Sequence, residues 1–393
     1  MSNPKRRIYL DHAATTPVHP QVWDAMQPFV SEMFGNPSSL YLRGRQALAA
    51  IEEARETVAR ILNAQPQEII FTSCGSESDN LAVRGVAFAN GRPLHERQGQ
   101  GAGHIITSSI EHHAVLYTCQ QLERHFGFDV TYLPVDAHGM INPDEVTRAI
   151  RPDTILISLM YANNEIGTVQ PIAALGQIAR AHGIPLHTDA VQAGGAFLLD
   201  VNALNVDFLS LSAHKFYGPK GVGILYAREG VKFLPMQTGG GQERNRRAGT
   251  EYTAGIVGAA KALELAHQWM AERNAEAQAL RDRFLQSIPE LIEGVRVTGH
   301  PTQRLPNHAS FVIEGVEGET LVLGLDGAGI EASTGSACAS GSTESSHVLK
   351  ALGMPDDVAR GSLRLTLGVK NEEADVSRVL AVLPVLVQAL RGY

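Results

Sequence analysis

The stretch Leu209-Ser-Leu-Ser-Ala-His-Lys-Phe-Tyr-Gly-Pro-Lys-Gly-Val-Gly223 decides how the chain reads. The largely apolar run from Val206 to Leu211 predicts a buried strand. It stops at small and polar residues, and glycines and a proline then turn the backbone sharply. Lys215 therefore stands at a strand end, where open α/β sheets place their ligands. A lysine held there beside a histidine suits a Schiff base with pyridoxal phosphate. An ordinary surface lysine after a strand fits the same residues.

Working outward, strands and helices alternate through the first two thirds of the chain. Strands are expected at 8–10, 68–72, 104–108, 129–133, 154–160 and 184–188. Helices are expected near 20–33, 43–63, 115–126 and 171–182. Such alternation predicts a mostly parallel, doubly wound sheet. Successive strands end in Asn163 and Asn164, in Asp189 and Gln192, and in Ser212, His214 and Lys215, so these groups can converge along one sheet edge. A carboxylate 26 residues before the lysine, at an earlier strand end, suits the partner of a pyridinium nitrogen. Ser73-Cys-Gly-Ser-Glu-Ser-Asp-Asn80 joins a strand to a helix expected at Leu81. It reads either as an anion site at a helix N-terminus or as a plain joint capped by Ser76. Thr238–Thr250 holds three arginines, Arg244, Arg246 and Arg247, which suit phosphate or carboxylate but equally a solvated loop.

The C-terminal third changes character. A long alanine-rich helix is expected over 254–287, with a domain boundary near 260. Beyond it, short strands (309–313, 362–367) and helices (318–327, 345–352, 372–391) predict an α+β domain. One loop is unusual: Ser333-Thr-Gly-Ser-Ala-Cys-Ala-Ser-Gly-Ser342 contains only small residues. Nothing bulky in it shields Cys338, and such a backbone can move, which suits a travelling nucleophile. A small residue packed in a turn is the alternative.

Composition bounds the rest. The 393 residues are enough for two or three domains, and 44% hydrophobic content suits a folded enzyme. A net charge of −8 argues against a nucleic-acid partner. Three cysteines make no disulfide framework and point to a reducing, cytoplasmic setting. No signal peptide, membrane span or metal-ligand pattern stands out.

Taken together, the motifs resemble the NifS/IscS-type cysteine desulfurases, class V aminotransferase-like enzymes that use pyridoxal phosphate. The resemblance covers nearly the whole chain. It is carried by Tyr9-Leu-Asp-His-Ala-Ala-Thr-Thr, Phe34-Gly-Asn-Pro-Ser-Ser, Glu111-His112, Asn163-Asn-Glu-Ile-Gly, His187-Thr-Asp-Ala-Val-Gln192, Ala213-His-Lys, Arg247-Ala-Gly-Thr250 and Gly335-Ser-Ala-Cys. Phe71-Thr-Ser-Cys-Gly, Arg304-Leu-Pro-Asn and Gly315-Val-Glu-Gly-Glu look closer to the NifS branch. Two residues depart from the family pattern: Ser76 stands where threonine is frequent, and Ala213 where glycine is usual.

The resemblance implies pyridoxal-phosphate fold type I, with a large domain over 15–260 and a small one from 1–14 and 261–393. It makes Lys215 the cofactor lysine and base, and Asp189 the pyridinium partner. Gln192 and Asn164 become contacts to the ring hydroxyl, and His112 a catalytic histidine that stacks on the ring and moves protons. Gly75, Ser76, Ser212 and His214 match phosphate-binding positions, with Thr250 reaching the phosphate of a neighbouring subunit. Asn36 and Arg364 match the holders of the substrate carboxylate. Cys338 matches the cysteine that takes sulfur from L-cysteine as a persulfide, leaving L-alanine. A homodimer and a sulfur acceptor, an iron–sulfur scaffold protein, are implied as partners. A selenocysteine lyase or an aminotransferase is the alternative within the fold, and a non-catalytic sulfur carrier the alternative outside catalysis.

Overall fold

The computed structural model describes residues 6–96, 101–335 and 345–392. After the short β1 (Ile8–Tyr9), the chain builds a seven-stranded sheet from β2 (Ile69–Thr72), β3 (His104–Ser108), β4 (Asp129–Leu133), β5 (Thr154–Ser158), β6 (Leu186–Asp189), β7 (Phe208–Ser212) and β8 (Gly223–Ala227). The order across it is β2-β8-β7-β6-β5-β3-β4. All neighbours run parallel except β8, which is antiparallel to both β2 and β7. The exception follows from chain length: the link from β7 to β8 is shorter than the roughly dozen residues a parallel crossover needs.

Every residue of β2, β3, β6, β7 and β8 is buried, because both faces of the sheet are covered. The helices of this part are α1 (Pro20–Ser31), α2 (Leu42–Leu62), α3 (Gly75–Asn90), α4 (His113–Phe126), α5 (Pro143–Ala149), α6 (Ile172–Ala181) and α7 (Thr253–Gln268). Side chains alternate between the faces as a two-residue period requires. Phe71, Ile106, Ile157, Leu209 and Leu211 face a core shared with α1, α2, α5, α6 and α7. Ile70, Ile105, Leu156 and Phe208 face a second core with α3 and α4. The doubly wound arrangement expected from the sequence is the one observed.

A hairpin of β9 (Gly241–Gln242) and β10 (Arg247–Ala248) precedes α7. The helix expected without interruption over 254–287 is two helices, α7 and α8 (Met270–Leu291), broken at Trp269 (φ −104°, ψ 11°). The break serves two cores. Ala262, Leu263, Leu265 and Ala266 of α7 pack under the large sheet, whereas Phe284 and Ile288 of α8 pack into another core. That core lies against an antiparallel sheet of β11 (Val295–Val297), β12 (His308–Ile313) and β14 (Ser362–Thr366), in the order β11-β12-β14. It also takes Ile8 and Leu10 from the N-terminus, and β1 pairs parallel with β13 (Ile330–Glu331). Helices α9 (Gly318–Gly327), α10 (His347–Ala351), α11 (Asp356–Ala359) and α12 (Glu373–Leu390) complete this part.

Candidate active site

The strand ends meet. Thr72 at the end of β2 leads into α3, Ser108 of β3 into His112, Ser158 of β5 into Asn164, Asp189 closes β6, and Ser212 of β7 leads into Lys215. Around them lies a cavity of about 320 Å³, lined by Gly75, Ser76, His112, Asn164, Asp189, Gln192, Ser212, His214, Lys215 and Arg364, with Ala13 and Ala14 from the N-terminal segment. Ten of the residues expected to act together therefore share one cavity. Asn36 and Thr250 do not line it within this chain; both are exposed. Cys338 lies outside the described residues.

Each side chain is held by local structure. Lys215 ends a short turn of 3-10 helix, and its Nζ donates to the carbonyls of Ala13 (2.5 Å) and Ala14 (2.8 Å). Gln192 Nε2 also donates to the Ala13 carbonyl, at 2.9 Å. The Asp-His-Ala-Ala segment is thus one wall of the site. His112 is the N-cap of α4, its Nδ1 accepting from Ala114 N at 3.1 Å. His214 Nδ1 lies 3.1 Å from Thr15 Oγ1. Arg364 is buried; it donates to Asp11 Oδ1 (2.7 Å) and to the Asn164 carbonyl (2.8 Å).

The loop expected over Ser73–Asn80 is mostly helix, since α3 begins at Gly75 with Cys74 as its N-cap. Ser76 is therefore inside the first turn and does not cap it. Instead Glu77 reaches back to accept from Ser73 N at 2.7 Å. A Cβ at Gly75 would come within 2.8 Å of Val191 Cγ2 and 3.2 Å of Ser212 Cβ, so glycine keeps this end of the cavity open. Unpaired N–H groups at a helix start, beside two serine hydroxyls, suit an anion. The three arginines of the 238–250 stretch are engaged within the chain. Arg247 Nε pairs with Glu77 at 2.9 Å, Arg244 with Glu52 at 3.1 Å, and Arg246 donates to the Gln67 carbonyl.

The electrostatics favour a cationic ring nitrogen. Asp189 is buried at the cavity floor, accepting from Val191 N at 2.9 Å. Burial, and the nearby Asp79, push its carboxyl up to about 7. Asp79 lines the same cavity, is itself raised to about 7 by burial, and leaves Oδ1 without a hydrogen-bond partner. Two buried carboxyls with so little positive charge between them are poised for a cation. Burial lowers His112 to about 4, with Lys215 adding to the effect, so the imidazole is neutral and its face apolar. Pyridoxal phosphate fits this set: carboxylate for its ring nitrogen, helix start for its phosphate, lysine for its aldehyde.

Sequence reasoning did not single out Asp79, Glu111 or Asp11. Glu111 is fully buried between two strand ends, its Oε1 accepting from Ser108 Oγ (2.5 Å) and Met160 N (3.1 Å), and burial raises it to about 8. It fixes the strand end that carries His112. Its position beside His112 is the one signal of it that the sequence carries.

The chain matches the class-V aminotransferase family over residues 8–379. It is 54% identical over 392 residues to cysteine desulfurase IscS of Methanosarcina thermophila, covering 100% of this chain and 95% of that one. It is 51% identical over 387 residues to cysteine desulfurase IscS of Dictyoglomus turgidum, covering 98% and 96%. Among solved structures it resembles a NifS-like protein with a TM-score of 0.88 and 37% identity, covering 98% of this chain and 100% of that one. It also resembles SspA in complex with cysteine, with a TM-score of 0.80 and 41% identity, covering 92% and 98%. The relatives at 51–54% identity carry the IscS name, so a place in the NifS branch does not follow from them.

Proposed function

This chain belongs to the class-V aminotransferase family and is a pyridoxal-phosphate-dependent cysteine desulfurase, and from that premise we propose how its residues divide the work. Bound in the cavity at Lys215, the cofactor supplies an electron sink that makes the substrate Cα–H acidic. Asp189 holds the proton on the ring nitrogen, and Asp79 keeps the carboxyl pair in need of that positive charge. Gly75, Ser76, Ser212 and His214 hold the phosphate, joined by Thr250 of a second subunit. Gln192 and Asn164 orient the ring through its hydroxyl, and neutral His112 covers its face. Arg364 and Asn36 bind the substrate carboxylate.

Lys215 serves as the covalent anchor and then as the base that moves the proton at the substrate α-carbon. The Cys338 thiolate attacks the substrate sulfur. The S–S bond of a persulfide forms as the substrate C–S bond breaks, and the electron pair of that bond stays with the carbon skeleton, which is protonated to L-alanine. A second thiol, on an iron–sulfur scaffold or another acceptor protein, then takes the outer sulfur. Among the described residues, no helix is long and apolar enough to cross a membrane. A cytoplasmic setting rests on the sparse cysteines and the need for free thiols.

The two cores support a two-domain division of about 15–260 and 1–14 with 261–393. Residue 260 falls inside α7, whose packing under the large sheet continues to Ala266. A homodimer is supported by the exposed apolar side chains of Trp23, Leu40, Tyr41, Leu42 and Leu48.

The observation that carries this reading is Lys215 and Asp189 on adjacent strand ends of one cavity with a glycine-started helix. It is tested by the visible spectrum. The purified protein should show the absorbance of a lysine-bound pyridoxal group, which L-cysteine shifts. Lys215→Ala should lose that band and at least about a thousandfold of turnover, with its thermal unfolding retained. A lysine variant that makes L-alanine from L-cysteine at the normal rate would overturn the assignment.

A further inference from the structure

The turn that carries Asn164 is held from below by the small antiparallel sheet, and we propose that His308 is a positioning residue that sets Asn164 and Arg364 jointly for substrate. The proposal rests on the reading of Arg364 as the holder of the substrate carboxylate. His308 begins β12 and is fully buried. Its Nε2 donates to the Asn164 carbonyl at 3.2 Å, and Arg364 Nη1 donates to the same oxygen at 2.8 Å. The two donors come from neighbouring strands. Ser310 is directly opposite Arg364 and His308 opposite Thr366, so His308 and Arg364 are diagonal neighbours on one face.

One carbonyl oxygen has two lone pairs, and here both are used. Arg364 is also tied to Asp11 Oδ1 at 2.7 Å and to the Gly335 carbonyl at 3.2 Å; without the His308 donor the shared Asn164 oxygen is left to Arg364 alone, and its position relative to the guanidinium shifts. The turn is also held by Asn163, whose Oδ1 accepts from Glu165 N (2.8 Å) and Ile166 N (3.0 Å) and whose Nδ2 donates to the Ile110 carbonyl (2.9 Å), and it has further ties to the domain of His308. Arg304 Nη2 donates to the Ile166 carbonyl at 3.0 Å, and Leu305 N to the Gly167 carbonyl at 2.8 Å. Gly167 has φ +77°, and a Cβ there would come within 2.8 Å of His308 Nδ1. The glycine is needed for both its conformation and the space it leaves the ring. Burial, with the charges of Arg364 and Arg304, holds the imidazole well below its ordinary value and hence neutral. A neutral ring has one N–H, and facing a carbonyl places it on Nε2. A purely apolar filler would pack here as well but would not donate.

The test compares His308→Leu, which fills the space without a donor, with His308→Gln, whose amide can replace the Nε2–H. L-Alanine, the product, reports carboxylate binding through its effect on the absorbance of the cofactor-loaded enzyme, without Cys338 or turnover. The leucine variant should bind L-alanine about tenfold more weakly, and the glutamine variant within about threefold of wild type. The thermal midpoints of the two cofactor-free variants should match within a few degrees. Unchanged L-alanine binding in His308→Leu would overturn the proposal. So would equal weakening in both variants with equal loss of midpoint, the mark of a merely structural residue. Should the leucine variant fail to fold, His308→Met takes its place with the same two outcomes. Arg364→Lys separates the premises. If it leaves L-alanine binding unchanged, the reading of Arg364 fails. If it weakens binding while His308→Leu does not, the positioning role alone fails.

Discussion

At the scale of single residues, the charge of Asp189 is where the account is most exposed to a pH experiment. Its carboxyl stands at about 7 in the folded, cofactor-free chain, against about 4 when unfolded. Between those values the folded chain holds a proton that the unfolded chain has lost. Its stability therefore falls as pH rises through that window, and the penalty is complete above it. A protonated ring nitrogen beside the ionised carboxylate removes the penalty. The gain in thermal midpoint on adding pyridoxal phosphate should then be larger near pH 8 than near pH 5.5, and Asp189→Asn should shrink the difference. An equal gain at both pH values in wild type would contradict the pairing. Asp189 was legible in the sequence because strand-end position and spacing from Lys215 are both local signals. Asp79 was not: nothing in Ser-Asp-Asn80 tells that α3 starts at Gly75 and turns that carboxyl into the cavity.

At the scale of elements, the hairpin that carries Thr250 is fastened by one buried pair. Glu243 lies in a turn where Glu243, Arg244 and Asn245 all have positive φ (46°, 56° and 64°). Side chains rarely adopt that conformation, so the turn needs an external tie. Arg55 of α2 supplies it, donating to Glu243 Oε2 at 2.7 Å and Oε1 at 3.1 Å, and Phe71 N of β2 donates to Oε2 at 3.1 Å. Both side chains are buried. Glu243→Gln removes the buried counter-charge of Arg55 and leaves it only the partly exposed Glu52, 3.1 Å from its Nε, and should cost about 3 kcal/mol of stability, read by denaturant unfolding. A loss below about 1 kcal/mol would show that the turn is held without this pair. The sequence predicted strands and helices well because apolar alternation and helical spacing are strong over whole elements. It missed this tie because a partner 188 residues away leaves no periodic trace. The break at Trp269 was missed for a related reason: helix propensity is continuous through it, and only the need to serve two cores bends the chain.

At the scale of the molecule, several large apolar side chains that lie close in sequence are exposed among the described residues. Trp23, Phe34, Leu40, Tyr41 and Leu42 are 54%, 63%, 88%, 60% and 62% exposed. Their bulk and their closeness in sequence suit a surface that a second copy covers. With Thr250 and Asn36 also outside the chain's own cavity, the site is expected to be completed across a dimer. Leu40→Asp with Leu42→Asp should give monomers by sedimentation and lose most desulfurase activity together. A monomeric double variant with full activity would contradict a shared site. The family, the sheet and the cofactor residues were readable from motifs spread along the whole chain, whereas assembly was readable only through what those motifs imply. Sulfur is expected to pass from L-cysteine to the acceptor through Cys338. The measurement that tests it most directly is a mass spectrum of the protein after incubation with L-cysteine and no reductant. One added sulfur atom is expected on the peptide containing Cys338, absent from Cys338→Ser, which still binds pyridoxal phosphate. Added sulfur on Cys74 or Cys119 instead, or sulfide released from L-cysteine by Cys338→Ser, would contradict it.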